Sequence, residues 1–434
     1  MKIAILGFGR EGKAIFKYLK KNKAYKNAEI FVLDKNSTTK VPAKIGLISG
    51  ENHIASLKSF DLVFRSPGVP YNSPTIQDAV RSGVKFTSAT QIFFDEARGA
   101  IIGVTGTKGK GTTSTLLYNI LKAAKYDVYL AGNIGKPAID ILPKLKKNSV
   151  TILELSSFQL HDLRKSPQTA VILDIFPDHM DSHTDFQDYF NAKANIARYQ
   201  SAKDKVFYCG ENEHSRNMAQ SGDGQKIAVI VKNFDLFQPE DLKITGPHNF
   251  KNAVMAATVA LNFGIPKSVI TETVKSFKGL PHRLEFTRAI KSNSGAIKFY
   301  NDSAGTNPQT AAAAVKSFSE PLILIAGGKD KNLDYAPLAE AIKKSPSVKA
   351  VVLFGENKLK IKEALERIKN NELRIVGKDD LESAVNEAYK IAKSSIIHNS
   401  QFIVLFSPGA ASFDMFKDYA DRGEKFKEIV TSIY

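Results

Sequence analysis

The chain has 434 residues, 43% of them hydrophobic and 24% charged, and its 61 lysines and arginines outnumber 44 acidic residues to leave a formal charge of +17. That balance excludes disorder as the main state, and the length divides into two to four domains at roughly 100–200 residues each. Apolar runs such as 322–325 and 403–406 are far shorter than the ~18 residues that cross a bilayer, and the single cysteine, Cys209, excludes an internal disulfide and points to the reducing cytoplasm.

The opening stretch MKIAILGFGR predicts a strand at 2–6 running into a Gly turn, not a signal peptide. A helix from Glu11, strands at 30–33 and 62–64, and one more helix and strand complete a first α/β unit. A strand at 100–104 and the Gly-rich turn after it open a second. That unit continues through a helix at 114–124, strands at 150–155 and 170–173, a helix from Asn249 to Gly264 and another from Pro266. The third begins near Gly279 and carries strands at 322–325, 350–353, 374–376 and 402–405. Short β-branched runs alternating with amphipathic helices are the pattern of parallel sheets crossed by helices.

Gly103-Val-Thr-Gly106-Thr-Lys108-Gly-Lys110-Gly111-Thr112-Thr113 lies between a buried strand and a helix. Backbone N–H groups and a helix N-terminus there converge on a volume suited to phosphates, with Lys110 reaching the terminal phosphates of a nucleotide. Gly111 offers no hydroxyl to Mg²⁺, and Thr112 is the nearest substitute. The expected fold is therefore α/β in three domains: a Rossmann-like N-terminal domain (1–91), a central P-loop-type ATPase domain with a mainly parallel sheet (92–278) and a Rossmann-like C-terminal domain (279–434).

Three further motifs leave alternatives open. Gly7-Phe-Gly9-Arg-Glu-Gly12, with Asp34 ending the next strand, fits a dinucleotide fingerprint, so an NAD-dependent oxidoreductase is a rival; the same turn holds any nucleoside diphosphate. Glu154, in Glu154-Leu-Ser-Ser157-Phe-Gln159, ends a hydrophobic strand where a carboxylate can hold Mg²⁺ against a nucleotide. Asp178-His179-Met-Asp181-Ser-His183 pairs two histidines at i and i+4, which invites zinc but lacks the H-E-x-x-H pattern. His179 is expected as a Mg²⁺ or phosphate contact, and an exposed loop position serves equally for His183. The positive charge is spread over helix faces, as at Lys358, Lys360 and Lys362, without a polybasic block. A solvated surface is expected, with a nucleic-acid-binding ATPase as the contrary reading.

Together these motifs resemble the Mur ligases, the ATP-dependent amide-forming enzymes of peptidoglycan synthesis, and among them the D-glutamate-adding members. The resemblance spans essentially the whole chain. It rests on GVTGTKGKGTT, AGNIG around Asn133, ELSSFQL, DHMD, HNxxN at 248–252, GLPHR ending at Arg283, NDS at 301–303 and SPGAASFDMFKDYADRG.

It implies that D-glutamate is joined to UDP-N-acetylmuramoyl-L-alanine through an acyl phosphate, with ATP and Mg²⁺, by a cytoplasmic monomer that binds small molecules and no nucleic acid. Residues Gly106, Thr107, Lys108, Gly109, Lys110, Gly111, Thr112 and Thr113, with Asn249, Asn252, Arg283 and Asp302, would contact ATP. Thr112, Glu154, His179 and Lys193 would hold metal, Lys193 as a carbamate, and Lys110, Asn133, His179 and Lys193 would surround the reaction. Gly9, Asp34, Ser66, Pro67, Gly68, Ser157 and Gln159 would bind the UDP substrate, and Lys331, Ser412 and Tyr419 the amino acid. Without the resemblance, Lys193 reads as a solvated helix lysine. Two departures stand out: Gly111 in the P-loop, and Ala304 where the family carries a lysine, for which Lys329 or Lys331 could substitute.

Overall fold

The computed structural model describes every residue except 44, 134, 181, 245, 293–294, 369–371, 396–399 and 434. Asp181 of the DHMD segment and Ile134 of AGNIG thus lie outside the described residues. The chain forms three α/β domains in two compact units, Met1–Phe277 and Lys278–Tyr434. No described helix is long and apolar enough to cross a membrane.

The first sheet contains β1 (Lys2–Leu6), β2 (Glu29–Asp34), β3 (Gly46–Ser49), β4 (Leu62–Arg65) and β5 (Lys85–Thr87), all parallel, in the order β3-β2-β1-β4-β5. Alternate residues of β1 enter separate cores, Ile3 and Ile5 on one face, Ala4 and Leu6 on the other. Both faces are covered, so the inner strands β1, β2 and β4 read as largely apolar runs, while the edge strands β3 and β5 stay partly exposed. The chain reverses its direction of travel across the sheet between β1 and β4, the place where such sheets open a ligand crevice.

The central sheet contains β6 (Ala100–Thr105), β7 (Val128–Gly132), β8 (Val150–Glu154), β9 (Thr169–Ile172), β10 (Lys205–Cys209) and β11 (Gln225–Val229). Its order is β11-β10-β9-β6-β8-β7, parallel throughout. β6, which feeds the P-loop, lies between β8 and β9. Glu154 and the loop after β9 are thereby brought to the same carboxyl edge as Lys110.

The third sheet contains β12 (Glu285–Ser292), β13 (Gly295–Asn301), β14 (Leu322–Gly327), β15 (Val348–Phe354), β16 (Arg374–Gly377) and β17 (Ser400–Phe406), in the order β12-β13-β17-β14-β15-β16. Only the edge pair β12 and β13 is antiparallel. Ile323 and Ile325 enter one core, Leu322 and Leu324 the other.

Two sequence expectations are corrected. The helix after the P-loop spans Lys110–Ala123 instead of starting at Ser114, so Lys110 through Thr113 form its first turn. Gly111 and paired threonines are weak helix formers, but Gly109 caps the helix in the left-handed region and Thr113 and Ser114 are packed at 0% exposure. The antiparallel β12–β13 pair was not expected among parallel units.

Candidate active site

The P-loop is shaped by two glycines with positive φ, Gly106 (+155°) and Gly109 (+85°). A Cβ on Gly109 would sit 2.2 Å from Asn252 Oδ1, and one on Gly106 would sit 2.6 Å from Leu173 Cβ, so no side chain fits either position. Asn252 is buried on helix Pro247–Asn262, and Asn249 occupies that helix's first turn. The N–H groups at the start of helix Lys110–Ala123 have no intrahelical partner and carry the positive end of the helix dipole. Lys110 Nζ bonds the carbonyls of Gly106 (2.9 Å) and Thr107 (3.2 Å). Lys108 is exposed and pairs with Asp178 at 3.5 Å, while Gly111 and Thr112 are half-buried. A backbone cradle, a cation over it and a dipole behind it fit a nucleotide polyphosphate.

Beside the cradle Glu154 ends β8, buried, and its Oε1 accepts from Asn133 Nδ2 at 3.1 Å. Lys193, expected from sequence alone as solvated, is instead 2% exposed. Its Nζ donates to Gly106 O (3.1 Å) and Thr105 Oγ1 (3.3 Å) and lies 4.9 Å from the centre of the Tyr189 ring. Burial first, and then the Lys110 charge, pull its pKa well below the ordinary lysine value; Asp178 and Glu154 oppose them. Tyr189, one turn earlier on helix Phe186–Arg198, is hydrogen-bonded through its hydroxyl to Thr107 Oγ1 at 2.9 Å. His179 is exposed with φ +58°, a left-handed conformation uncommon outside glycine, and its ring meets Phe158 and Tyr189 at 5.3 and 6.5 Å.

The expectation of a loop-exposed His183 is corrected: its side chain is buried, with Nδ1 2.8 Å from Asp188 Oδ2 and Nε2 3.0 Å from Ser157 Oγ. Its backbone N–H bonds the carbonyl of His179, which closes the loop, and both rings pack against Phe158 and Tyr189. Ser157 is buried in that contact. Gln159, also buried, donates to Glu11 Oε1 at 2.7 Å and accepts from Ser156 N.

In the N-terminal domain Gly7 (φ +86°) turns the chain after β1, and a Cβ on Gly12 would lie 2.1 Å from Gly7 O. Asp34 accepts from Phe8 N (2.7 Å) and Asn36 N (2.9 Å), and Ser66 Oγ donates to Gly7 O, so Asp34 and Ser66 are both tied to the turn that carries Gly9, and Pro67 and Gly68 follow Ser66 in the chain. Arg10 donates to the carbonyls of Gly132, Asn133 and Gly135, and burial pushes the Glu11 pKa up. Arg65, at the end of β4, makes a bidentate pair with Asp162 at 2.9 and 2.7 Å. Sequence reasoning did not find Arg10, Glu11, Arg65, Asp162 or Tyr189. Only Tyr189 left a signal, four positions before Lys193 on one helix.

In the second unit Asp302 follows β13, buried, accepting from Ser407 Oγ (2.7 Å) and Leu284 N (3.2 Å). Burial raises its pKa to about 6 against those bonds and the Arg283 charge. Arg283 is exposed between His282 (φ +60°) and Leu284 (φ +44°). Lys331 follows β14 and lies over the Phe413 ring at 5.5 Å, next to the buried Ser412. Tyr419 is exposed and starts helix Tyr419–Ser432. Lys329, considered as a substitute for the lysine replaced by Ala304, is paired with Glu356 at 2.7 Å.

A P-loop beside a strand-end carboxylate at the edge of a parallel sheet is the arrangement of a nucleotide-using enzyme. Residues 1–88 match the MurD-like N-terminal domain of Mur ligases, 104–234 the Mur ligase middle domain and 282–407 the Mur ligase glutamate ligase domain. The chain is 36% identical to the UDP-N-acetylmuramoylalanine–D-glutamate ligase of Acetivibrio thermocellus, over 100% of this chain and 96% of the relative. It is 34% identical to the enzyme of that name from Clostridium acetobutylicum, with the same coverage. Among solved structures, MurC of Thermotoga maritima shares the fold at TM-score 0.55 and 17% identity, covering 100% and 99% of the two chains. The MurF ligase of Thermotoga maritima in complex with ADP does so at 0.54 and 16%, covering 98% and 93%. This chain belongs to the Mur ligase family.

Proposed function

We propose that this enzyme joins D-glutamate to the carboxylate of UDP-N-acetylmuramoyl-L-alanine, with ATP converted to ADP and phosphate, in peptidoglycan precursor synthesis. The reading is supported by the match along the whole chain to relatives bearing that name. The observation that carries it is the meeting of Lys110, Glu154 and the buried Lys193 at one sheet edge.

A carboxylate does not accept an amine directly, because no good leaving group is present. Transfer of the ATP γ-phosphate to it gives an acyl phosphate, from which phosphate departs when the amine attacks. Lys110 and the N-terminus of helix Lys110–Ala123 would neutralise charge on the transferring group. Asn249, Asn252, Arg283 and Asp302 are proposed contacts of the nucleotide. The donor set fits Mg²⁺: Glu154 supplies a hard oxygen ligand, fixed by Asn133, with His179 and Thr112 as further candidates. Mg²⁺ bound there would screen charge on the phosphates.

Lys193 is proposed to act as a carbamate. Its depressed pKa favours the neutral amine, whose lone pair can bond the carbon of CO₂ while the nitrogen gives up a proton. That replaces a buried neutral amine beside Lys110 with an anion bearing two oxygens. Gly9, Asp34 and Ser66 to Gly68 would hold the UDP end, with Ser157 and Gln159 further along the substrate. Lys331, Ser412 and Tyr419 would receive D-glutamate, whose two carboxylates call for a cation and hydrogen-bond donors. The reading places a monomeric enzyme in the cytoplasm.

The test is phosphate release with ATP and UDP-N-acetylmuramoyl-L-alanine against a panel of amino acids, and with NADH or DNA added in parallel. Turnover should require D-glutamate and be indifferent to NADH and DNA. Preference for a diamino acid, or for neither enantiomer of glutamate, overturns the substrate assignment.

A further inference from the structure

Outside the residues assigned to the reaction, one buried cluster has the composition of a transition-metal centre. His161 follows helix Ser157–Leu160, His183 lies in the loop after β9, and Asp188 is in the first turn of helix Phe186–Arg198. Each offers one donor atom, and the three atoms lie within 4.8 Å of one another. His161 Nε2 is 3.0 Å from Asp188 Oδ1, and His183 Nδ1 is 2.8 Å from Oδ2. We propose that His161, His183 and Asp188 form a site for a zinc-type divalent cation, distinct from the Mg²⁺ ligands.

Two imidazoles and a carboxylate, with water in the fourth position, are a donor set suited to Zn²⁺ and ill suited to Mg²⁺ or Ca²⁺, which take oxygen ligands. Donors about 2.0–2.1 Å from zinc at tetrahedral angles stand roughly 3.3 Å apart. The two N···O pairs, each to a different Asp188 oxygen, would open by a few tenths of an ångström, while donors standing up to 4.8 Å apart would close by roughly 1.5 Å.

The surroundings already orient the ligands. His183 Nε2 meets Ser157 Oγ at 3.0 Å, and Phe158 stacks on its ring at 5.3 Å and 13°. Tyr71 packs edge-on against His161 at 5.5 Å. Asp188 also accepts from Asn72 Nδ2 (3.1 Å) and Thr184 N (3.3 Å). Such outer contacts hold the side-chain rotamers before a metal arrives. His183 is fully enclosed while the side chains of His161 and Asp188 are 14% and 19% exposed, which leaves one side open for entry and for water. The nearby Arg65 is neutralised by its own pair with Asp162. His179, the other half of the spacing that suggested zinc in the sequence, is not part of the cluster.

The test uses the full-length protein, freed of metal and held in millimolar Mg²⁺ so that oxygen-ligand sites are saturated. Zn²⁺ binding is measured by equilibrium dialysis and Co²⁺ binding by visible absorption. The wild type should take up one equivalent of Zn²⁺ and give the intense bands of tetrahedral Co²⁺. His161→Gln, whose metal-free melting temperature is checked against the wild type, should bind at least about 10-fold more weakly and lose the bands. The isosteric Asp188→Asn should give the same result from a second ligand, and His179→Gln should retain both signals. Absence of Zn²⁺ uptake by the wild type, or unchanged uptake by His161→Gln and Asp188→Asn, would show a metal-free histidine–aspartate network and overturn the proposal.

Discussion

Arg65 and Asp162 lie 97 positions apart and pair across the N-terminal and central domains, within the first unit, at 1% and 7% side-chain exposure. The guanidinium also donates to Val69 O (2.7 Å) and Phe158 O (2.8 Å), so the backbone on both sides of the junction is tied to one side chain. Opposite charges about 4 Å apart attract by about 4 kcal/mol at an effective dielectric near 20. Removal of one partner also leaves the other charge buried and unpaired, and such losses fall at about 3–5 kcal/mol. Asp162→Ala and Arg65→Ala are therefore each expected to destabilise the first unit by about that amount, read from urea unfolding followed by domain-sensitive proteolysis. The double variant Arg65→Met with Asp162→Leu should recover most of the loss, because neither charge is left behind. Arg65 directly precedes Ser66, Pro67 and Gly68, so the KM for the UDP substrate should rise in the single variants while that for ATP stays near the wild-type value. Single variants within ~1 kcal/mol of the wild type, a value expected for an exposed pair, or a double variant as unstable as the two losses added, would refute this account.

Lys110→Ala should leave the fold intact and lower amide formation on the order of 10²–10³-fold in a phosphate-release assay, since it removes a cation from the charge accumulating in phosphoryl transfer. Lys193→Ala should abolish turnover, with partial recovery in millimolar acetate, and intact-protein mass spectrometry of the wild type should show the increment of one CO₂; a fully active variant would return Lys193 to a packing role. Lys331→Ala should raise the KM for D-glutamate far more than that for ATP. Asp302 has its pKa raised from 3.8 to about 6, so the native state holds a proton that the unfolded chain has lost. Its contribution is full below pH 3.8 and is lost as pH rises through 6, worth roughly 3 kcal/mol at most. Asp302→Asn should flatten that part of the stability profile, measured by urea unfolding at pH 4 and pH 7.

The local grammar of the sequence was legible because each piece carries its own physical cause. Gly7 and Gly109 occupy conformations that other residues avoid, and Glu154 ends a run whose apolar residues alternate into two cores, so turn, cradle and strand end could each be placed from neighbouring residues. Contacts between distant segments were not legible. Periodicity states which face of an element is buried but not what covers it, so Arg65 and Asp162 read as ordinary charges and His183 as a loop residue. Lys193 shows the limit most clearly. Its helix packs Ala192, Ala194 and Ala197 inward along with Tyr189 and Ile196, and small residues on both sides of a lysine are the trace of a helix that approaches the sheet closely enough to enclose it.

Each domain uses the same local device, a parallel strand ending in a glycine turn whose backbone packs too closely for a side chain. Gly7 ends β1, Gly106 and Gly109 follow β6, and Gly327 and Gly328 close β14, where a Cβ on Gly327 would lie 1.8 Å from Phe354 O. The device alone selects no chemistry, and the residues set beside it differ in sign. Asp34 already spends its carboxylate on Phe8 N and Asn36 N, which holds the first turn in shape. Lys110 and Lys331 are the cations proposed above for phosphates and carboxylates, the one bonded to Gly106 O and Thr107 O and the other over the Phe413 ring. Lys193 alone brings a third amine into the interior near Lys110, where burial and like charge both oppose its protonation. A purely structural lysine would gain there the bonds to Gly106 O and Thr105 Oγ1 and the contact with the Tyr189 ring, set against the cost of desolvating its amine. Suppressed protonation is what the carbamate proposed for Lys193 requires, since only the neutral amine can bond CO₂.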